Sequence, residues 1–267
     1  MQKKVYFLTG FPRSGNTLLA KILNQNKDIG ATGHSSLPDV LFNLDLIKLK
    51  NTYNNFKSDK DYNNIPTNIF NNYYKDWPQK YIIDRGEWAT PANYALLLQY
   101  FPQKIKIIFL LRNPIDVIKS YIKLCNDHPN FYINRQYNEL DITSLHRTEL
   151  EEKIELITKK EDLFDWSFMA YNFIKDKKNV HFVKYEDLVE NPEKTLNNIY
   201  IFLEIPKFKH NFNIKDQFFI NGIKYDDSVM GAPMHTLHTG KLKNFGYPNI
   251  KLPKYILEKY KGVLYDY

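Results

Sequence analysis

The sequence predicts an α/β fold, a single domain in which a mainly parallel central sheet is flanked by helices. Three observations lead there. Short apolar runs alternate with stretches of helical spacing, the pattern of strands joined by crossover helices. A glycine-rich turn links the first apolar run to the first helical stretch, as in nucleotide folds of the P-loop type. A chain of 267 residues, 43% hydrophobic and 15% aromatic, suffices for one sizeable core. With no internal repeat and no linker, the whole of 1–267 is read as one domain.

Val5–Thr9 is the first strand, Gly10–Thr17 turns the chain, and Leu18–Leu23 begins a helix that ends near residue 26. Residues 30–38, with two glycines and three hydroxyl residues, read as a strand end opening into a loop. Val40, Leu41, Leu44, Ile47 and Leu49 give 39–50 a helical period. The tract 51–75 is rich in Asn, Tyr, Lys and Asp with little periodicity, and is expected to be a mobile insert. Tyr81–Ile83 is a strand ending at Asp84-Arg85, Ala92–Phe101 a helix, and Ile105–Leu111 a buried strand ending at Arg112. Pro114 suits the first turn of a helix running to about Leu124. Residues 126–147, polar and aromatic, are a second expected insert; both inserts are expected to cover a substrate cleft. Helices are expected at 148–160 and 162–176, a strand at 180–184, and a helix from Pro192 to Leu203. A loop rich in Gly, His and Lys spans 228–247, and a last helix ends at Tyr260.

Parallel sheets bind ligands beyond the carboxyl ends of their strands. Arg13, Arg85 and Arg112 all lie at or just past such ends, so they are expected to converge. The turn Gly10-Phe11-Pro12-Arg13-Ser14-Gly15-Asn16-Thr17 has the spacing G-x-x-x-x-G-K-[ST], in which backbone N–H groups and a helix N-terminus cradle phosphates. Asn16 stands where the lysine belongs, and the cation is Arg13, three residues earlier. The anion nest survives, but the charge meets its ligand from another direction. That points away from an ordinary ATPase. The run Arg112-Asn113-Pro114 to Ser120 adds an arginine at a strand end and a serine eight residues on, two helical turns into the next helix. A ligand spanning both elements needs two anionic groups, and the net charge of +7 is compatible with that.

With both elements in view, the chain resembles the sulfotransferases that use 3′-phosphoadenosine 5′-phosphosulfate (PAPS), most of all their tyrosylprotein-type and bacterial branch. The resemblance implies that Arg13, Ser14, Gly15, Asn16 and Thr17 hold the 5′-phosphosulfate, and that Arg112 and Ser120 hold the 3′-phosphate. Lys184–Pro192 is similar to the family's Y-E-D-L segment, which implies that Tyr185 lies near the adenine. Thr239–Asn244 resembles the late glycine-and-basic loop that closes over the nucleotide, implying contacts from Lys241 and Lys243. The ending Val263–Tyr267 is like the tyrosylprotein-type tail. Three positions depart from the pattern: Asn16 replaces a Thr or Ser, Arg85 a lysine, and Leu242 an aromatic. The implied activity is sulfuryl transfer from PAPS to a hydroxyl or amine of a small-molecule, glycan or peptide acceptor, with adenosine 3′,5′-bisphosphate released. Such a transfer needs positioning and charge stabilisation more than covalent catalysis, so Arg13 is the expected catalytic cation and no metal is required.

The acceptor must also lose a proton. His34 is the expected base, since it follows the first helix where the family's branches place a glutamate or histidine, and its ordinary pKa near 6.5 suits neutral pH. Glu87 and Asp84 are its rivals. Tyr81–Asp84 also imitates the strand whose aspartate holds Mg²⁺ in P-loop enzymes, so the alternative is a kinase or NTPase using ATP and Mg²⁺. A catalytically silent nucleotide-binding protein is a third reading. His235 and His238, three apart and without a clear carboxylate partner, make a poor metal site, and Trp77, Trp88 and Trp166 read as core. The single Cys125 excludes an intramolecular disulfide. No apolar run reaches membrane-span length and the first strand begins at once, so a cytoplasmic location with no membrane or nucleic-acid partner is expected.

Overall fold

The computed structural model describes residues 3–55, 59–140, 147–160, 162–244, 246–247 and 249–263. β1 (Lys4–Gly10) runs through the middle of a five-stranded sheet. With β2 (Ile29–Ala31), β3 (Tyr81–Arg85), β4 (Ile107–Leu111) and β5 (Val180–Lys184), the order is β2-β3-β1-β4-β5. Every neighbouring pair is parallel. The register sets Leu8 beside Arg85, Gly10 beside Leu110, and Leu111 beside Lys184. All the carboxyl ends therefore share one edge, and the loops that follow β1, β3, β4 and β5 are neighbours there.

The helices follow in order: α1 (Asn16–Leu23), α2 (Leu37–Leu46), α3 (Asn51–Asn55), α4 (Asp59–Asn72), α5 (Pro91–Tyr100) and α6 (Pro114–Asp127). After them come α7 (Tyr132–Asn138), α8 (Glu149–Glu155), α9 (Asp162–Ile174), α10 (Tyr185–Glu190), α11 (Pro192–Leu203) and α12 (Lys254–Tyr260). Successive side chains of a strand point to opposite faces, so an unbroken apolar strand implies that both faces are covered. Tyr6 and Leu8 pack with Ile22 and Leu23 of α1 and with Leu196 and Ile199 of α11. Val5 and Phe7 pack on the other face with Leu41 of α2, Leu97 of α5 and Trp88. Phe7 and Leu8 are wholly buried; a side chain of that kind stabilises by about 2 kcal/mol.

Local chemistry starts the helices where they start. Asn113 Oδ1 accepts from the Ile115 N–H at 3.0 Å, and Pro114 is the first helical residue of α6. Thr148 and Glu151 form a capping box at α8.

The tract 51–75, expected to be a mobile insert, instead carries α3 and α4 among its described residues. Their polar composition hid a narrow buried stripe: Phe70 and Tyr74 join the Phe7 and Trp88 cluster, with Ile69 packed against it. α6 runs three residues past its expected end, to Asp127, and α7 occupies part of the second tract. Residues 141–146 of that tract, and 264–267 of the ending, lie outside the described residues. Two ribbons are new. β6 (Asn213–Ile214) pairs antiparallel with β9 (Gly240–Lys241), and β7 (Phe219–Ile220) with β8 (Ile223–Lys224). Strands of two residues leave no alternation to read. Among the described residues no helix is long and apolar enough to cross a membrane.

Candidate active site

The turn after β1 is shaped by its glycines. Gly10 sits at φ 150°, and a Cβ there would meet the Leu110 carbonyl oxygen at 2.4 Å. Gly15 sits at φ 88°, and a Cβ there would lie 2.9 Å from the Tyr185 ring. Arg13 takes a left-handed φ of 58° without being glycine, which costs about 1–3 kcal/mol and persists only where the surroundings hold it. Here they do. Its Nε donates to Ser120 Oγ at 3.1 Å, its Nη1 donates to the Met234 carbonyl, and its own carbonyl accepts from Arg112 Nη1 at 2.5 Å. The two sequence elements are thus in direct contact.

Ser14 and Asn16 turn inward. Ser14 Oγ donates to the Phe11 carbonyl at 2.6 Å, and Asn16 Nδ2 donates to that carbonyl and to Ser14 Oγ, each at 3.1 Å. Both side chains brace the turn, so an anion meets the first backbone N–H groups of α1, which have no intrahelical partner. Thr17 Oγ1 donates to the Tyr225 hydroxyl at 3.2 Å.

Arg112 is buried at the start of the loop after β4, and its guanidinium lies 4.2 Å from the Tyr185 ring centroid and 5.7 Å from that of Tyr247. Its Nε is buried and has no hydrogen-bond partner among the described residues. An unpaired buried cationic N–H is costly, so this guanidinium favours an anion beside it.

A cleft with about 1460 Å³ of space, part of it open to solvent, runs along this edge of the sheet. Arg13, Gly15, Asn16, Thr17, Arg112, Tyr185, Lys241 and Lys243 all line it, and Ser14 and Ser120 lie buried behind the lining. The lining also includes Arg85, Glu87, Thr90, Trp166, His235 and His238, none of them from 51–75 or 126–147. Of the tryptophans expected in the core, Trp88 is there, whereas Trp166 of α9 is half exposed at the cleft.

His34 does not line the cleft. Arg85 Nη1, which can only donate, stands 2.6 Å from His34 Nδ1 and takes its lone pair. Although the residue is exposed overall, partial loss of water around the ring, together with the Arg85 charge, pushes its pKa down to about 4. A neutral imidazole so held has its remaining proton on Nε2 and no free nitrogen for a base. Asp84 is equally withdrawn: wholly buried, it accepts from Trp88 Nε1 at 2.7 Å and from the Tyr74 hydroxyl, and burial lifts its pKa to about 6. It cannot reach a Mg²⁺ ion in the cleft in the way the kinase reading requires. Among the described residues no group of three or more His, Cys, Asp or Glu side chains could hold a metal.

Sequence reasoning passed over one pair for want of a carboxylate. Asp227 supplies it: its Oδ1 lies 2.6 Å from His235 Nδ1 and its Oδ2 accepts from the His235 backbone N–H at 2.8 Å. The available signal was an aspartate eight residues before a histidine, just ahead of the loop rich in Gly, His and Lys.

Residues 6–210 match the family model described as "Sulfotransferase family". No curated protein sequence matches the chain. Among solved structures, the chain is similar to the sulfotransferase domain from the curacin biosynthetic pathway, with 17% identity, a TM-score of 0.53, and 95% of this chain and 93% of that one covered. A sulfotransferase from Alicyclobacillus acidocaldarius (14% identity, TM-score 0.49, 81% and 87% covered) is also similar. So is the sulfotransferase domain of the Synechococcus PCC 7002 olefin synthase (18%, 0.48, 98% and 89%). Of these three, the likeness of fold rests on the first.

Proposed function

The chain belongs to the sulfotransferase family, and on that premise we propose that it moves a sulfuryl group from PAPS to a hydroxyl or amine, releasing adenosine 3′,5′-bisphosphate. The observation that carries this reading is Arg112, which lines the same cleft as the phosphate turn while its Nη1 is bonded to the Arg13 carbonyl. Two anion sites side by side suit a nucleotide phosphorylated at both ends. ATP has no second group for Arg112.

On this reading the 5′-phosphosulfate sits on the turn, where the start of α1 offers N–H groups and about half a positive charge. Arg13 stabilises the charge that develops on the leaving phosphate. Arg112 binds the 3′-phosphate. Ser120, which takes the Arg13 Nε, still has its own O–H to donate and ties the two sites together. Tyr185, Lys241 and Lys243 line the same space and form the adenine side. The acceptor, a small molecule, glycan or peptide, enters along the wall of Glu87, Thr90 and Trp166.

The test is calorimetric titration of adenosine 3′,5′-bisphosphate and of ATP with Mg²⁺. The bisphosphate is expected to bind at least about tenfold tighter. Arg112→Ala is expected to lose about 2–3 kcal/mol of that binding, the worth of charge-assisted hydrogen bonds. Tighter ATP binding would favour the kinase reading, and an Arg112→Ala variant with unchanged affinity would remove the proposal.

A further inference from the structure

The late loop is bound to the phosphate turn at two points. Arg13 Nη1 donates to the carbonyl of Met234, the residue before His235. Thr17 Oγ1 donates to the Tyr225 hydroxyl, and the Tyr225 ring stacks on the His235 imidazole, with centroids 3.8 Å apart and planes 5° apart. Tyr225 in turn donates to the Gly33 carbonyl, which anchors the stack to the segment after β2. His235 is therefore held by three unconnected stretches of chain, against the turn that would carry the sulfuryl group.

The imidazole is oriented as well as held. Asp227 accepts from both its backbone N–H and its ring Nδ1, so the Nδ1 proton is fixed on the carboxylate side. Nε2 is then the only free nitrogen. It has no hydrogen-bond partner among the described residues, and the ring lines the cleft. A neutral imidazole whose Nδ1–H is held by a carboxylate has its lone pair on Nε2, ready to take a proton.

We infer that His235, oriented by Asp227, is the general base for the acceptor. This rests on the sulfuryl-transfer reading. In the step, a lone pair of the acceptor hydroxyl (or amine) forms a bond to sulfur. The bond from sulfur to the bridging oxygen breaks, and its electron pair stays on the 5′-phosphate. The acceptor proton passes to Nε2, and the imidazolium so formed faces the Asp227 carboxylate until water removes the proton. No oxidant, reductant or metal enters the balance.

The charged and titratable groups facing His235 are Asp227 on its own loop, Tyr225 stacked on the ring, Arg13 on the turn, Arg85 at the end of β3, and His34 after β2. Burial lowers the His235 pKa, the two arginines lower it further, and Asp227 raises it in part. The base is neutral at physiological pH, and activity should show an acid limb where it becomes protonated.

The experiment uses the full chain with PAPS and p-nitrophenol, or with water as acceptor if the phenol is not taken. It follows kcat against pH alongside bisphosphate affinity by calorimetry. His235→Gln is expected to bind the bisphosphate within about threefold of wild type, lose about 10²–10⁴-fold in kcat, and lose the acid limb. Asp227→Asn, a milder second variant, is expected to retain the limb but move it to lower pH, because the imidazolium loses its carboxylate. A merely structural role for the pair would leave the limb where it is. An acid limb that survives His235→Gln, or that vanishes in Glu87→Gln instead, would overturn the assignment. So would a wild-type chain that binds the bisphosphate tightly yet transfers to neither acceptor. Failure of the bisphosphate to bind at all would strike the function reading itself.

Discussion

Gly15 shows how one atom can decide the proposed nucleotide site. It combines a left-handed φ of 88° with a Tyr185 ring 2.9 Å from where a Cβ would sit. A methyl group there would strain the backbone and push the ring off both the turn and Arg112. Gly15→Ala is therefore expected to lose about 1–3 kcal/mol of stability and to weaken bisphosphate binding at least about tenfold, read by urea denaturation and calorimetry. A variant matching wild type in both would mean the ring has room to move. The glycine was legible in the sequence because its role is backbone geometry at a set spacing. The inward turn of Ser14 and Asn16 was not, since two polar side chains beside a phosphate turn serve equally well as ligands or as braces. His34 and His235 present the same limit: nothing local says which histidine an arginine will silence and which an aspartate will orient.

At the scale of elements, strands and capped helices were readable and polar helices were not. Pro114 announced its helix through capping chemistry that is local by nature, and Thr90-Pro91 carried the same kind of signal. α4 escaped because its buried Phe70, with the partly buried Ile69 beside it, falls near its end in a run of Asn, Tyr and Lys. The β7–β8 hairpin carried a readable signal in Asn221-Gly222, both at positive φ as a tight two-residue turn demands.

Behind α11, His210 is buried with its Nε2 3.0 Å from the Tyr200 hydroxyl, and burial pushes its pKa down to about 4. Unfolded, it would titrate near 6.5. Between those values the unfolded chain binds more protons, so this contribution is complete above about pH 6.5 and is lost as pH falls towards 4. Its size is on the order of 3 kcal/mol. Asp84 works in the opposite sense, gaining stability on acidification below its raised pKa of about 6. The comparison that isolates His210 is thus wild type against His210→Gln. The variant is expected to show a flatter fall in urea stability between pH 7 and pH 5, and equal slopes would mean that His210 is not buried neutral.

Across the whole molecule, the cleft gathers Arg13, Arg85, Arg112, Lys241 and Lys243 from four separated loops. A ligand bound to all of them ties the sheet edge to the late loop. Adenosine 3′,5′-bisphosphate at a hundred times its Kd is expected to add about 2.7 kcal/mol to stability. That raises Tm by roughly 5–10 °C for a chain of this size. Added salt should shrink the shift, because much of the attraction is between charges near solvent. Scanning fluorimetry reads both effects; a shift that is insensitive to salt, or that persists in Arg112→Ala, would argue for a different binding mode.

The sequence by itself determined the parallel sheet, the glycine-rich turn after its first strand and the presence of a second cationic strand end, since each rests on spacing within a dozen residues or so. Only the tertiary structure decided that Arg13 reaches Ser120 and Met234, 107 and 221 positions away. It also decided that Tyr225 lays its ring on His235, and that Arg85 closes off His34. Such contacts depend on which loops the strand order makes neighbours, and that order is set by packing both faces of the sheet at once.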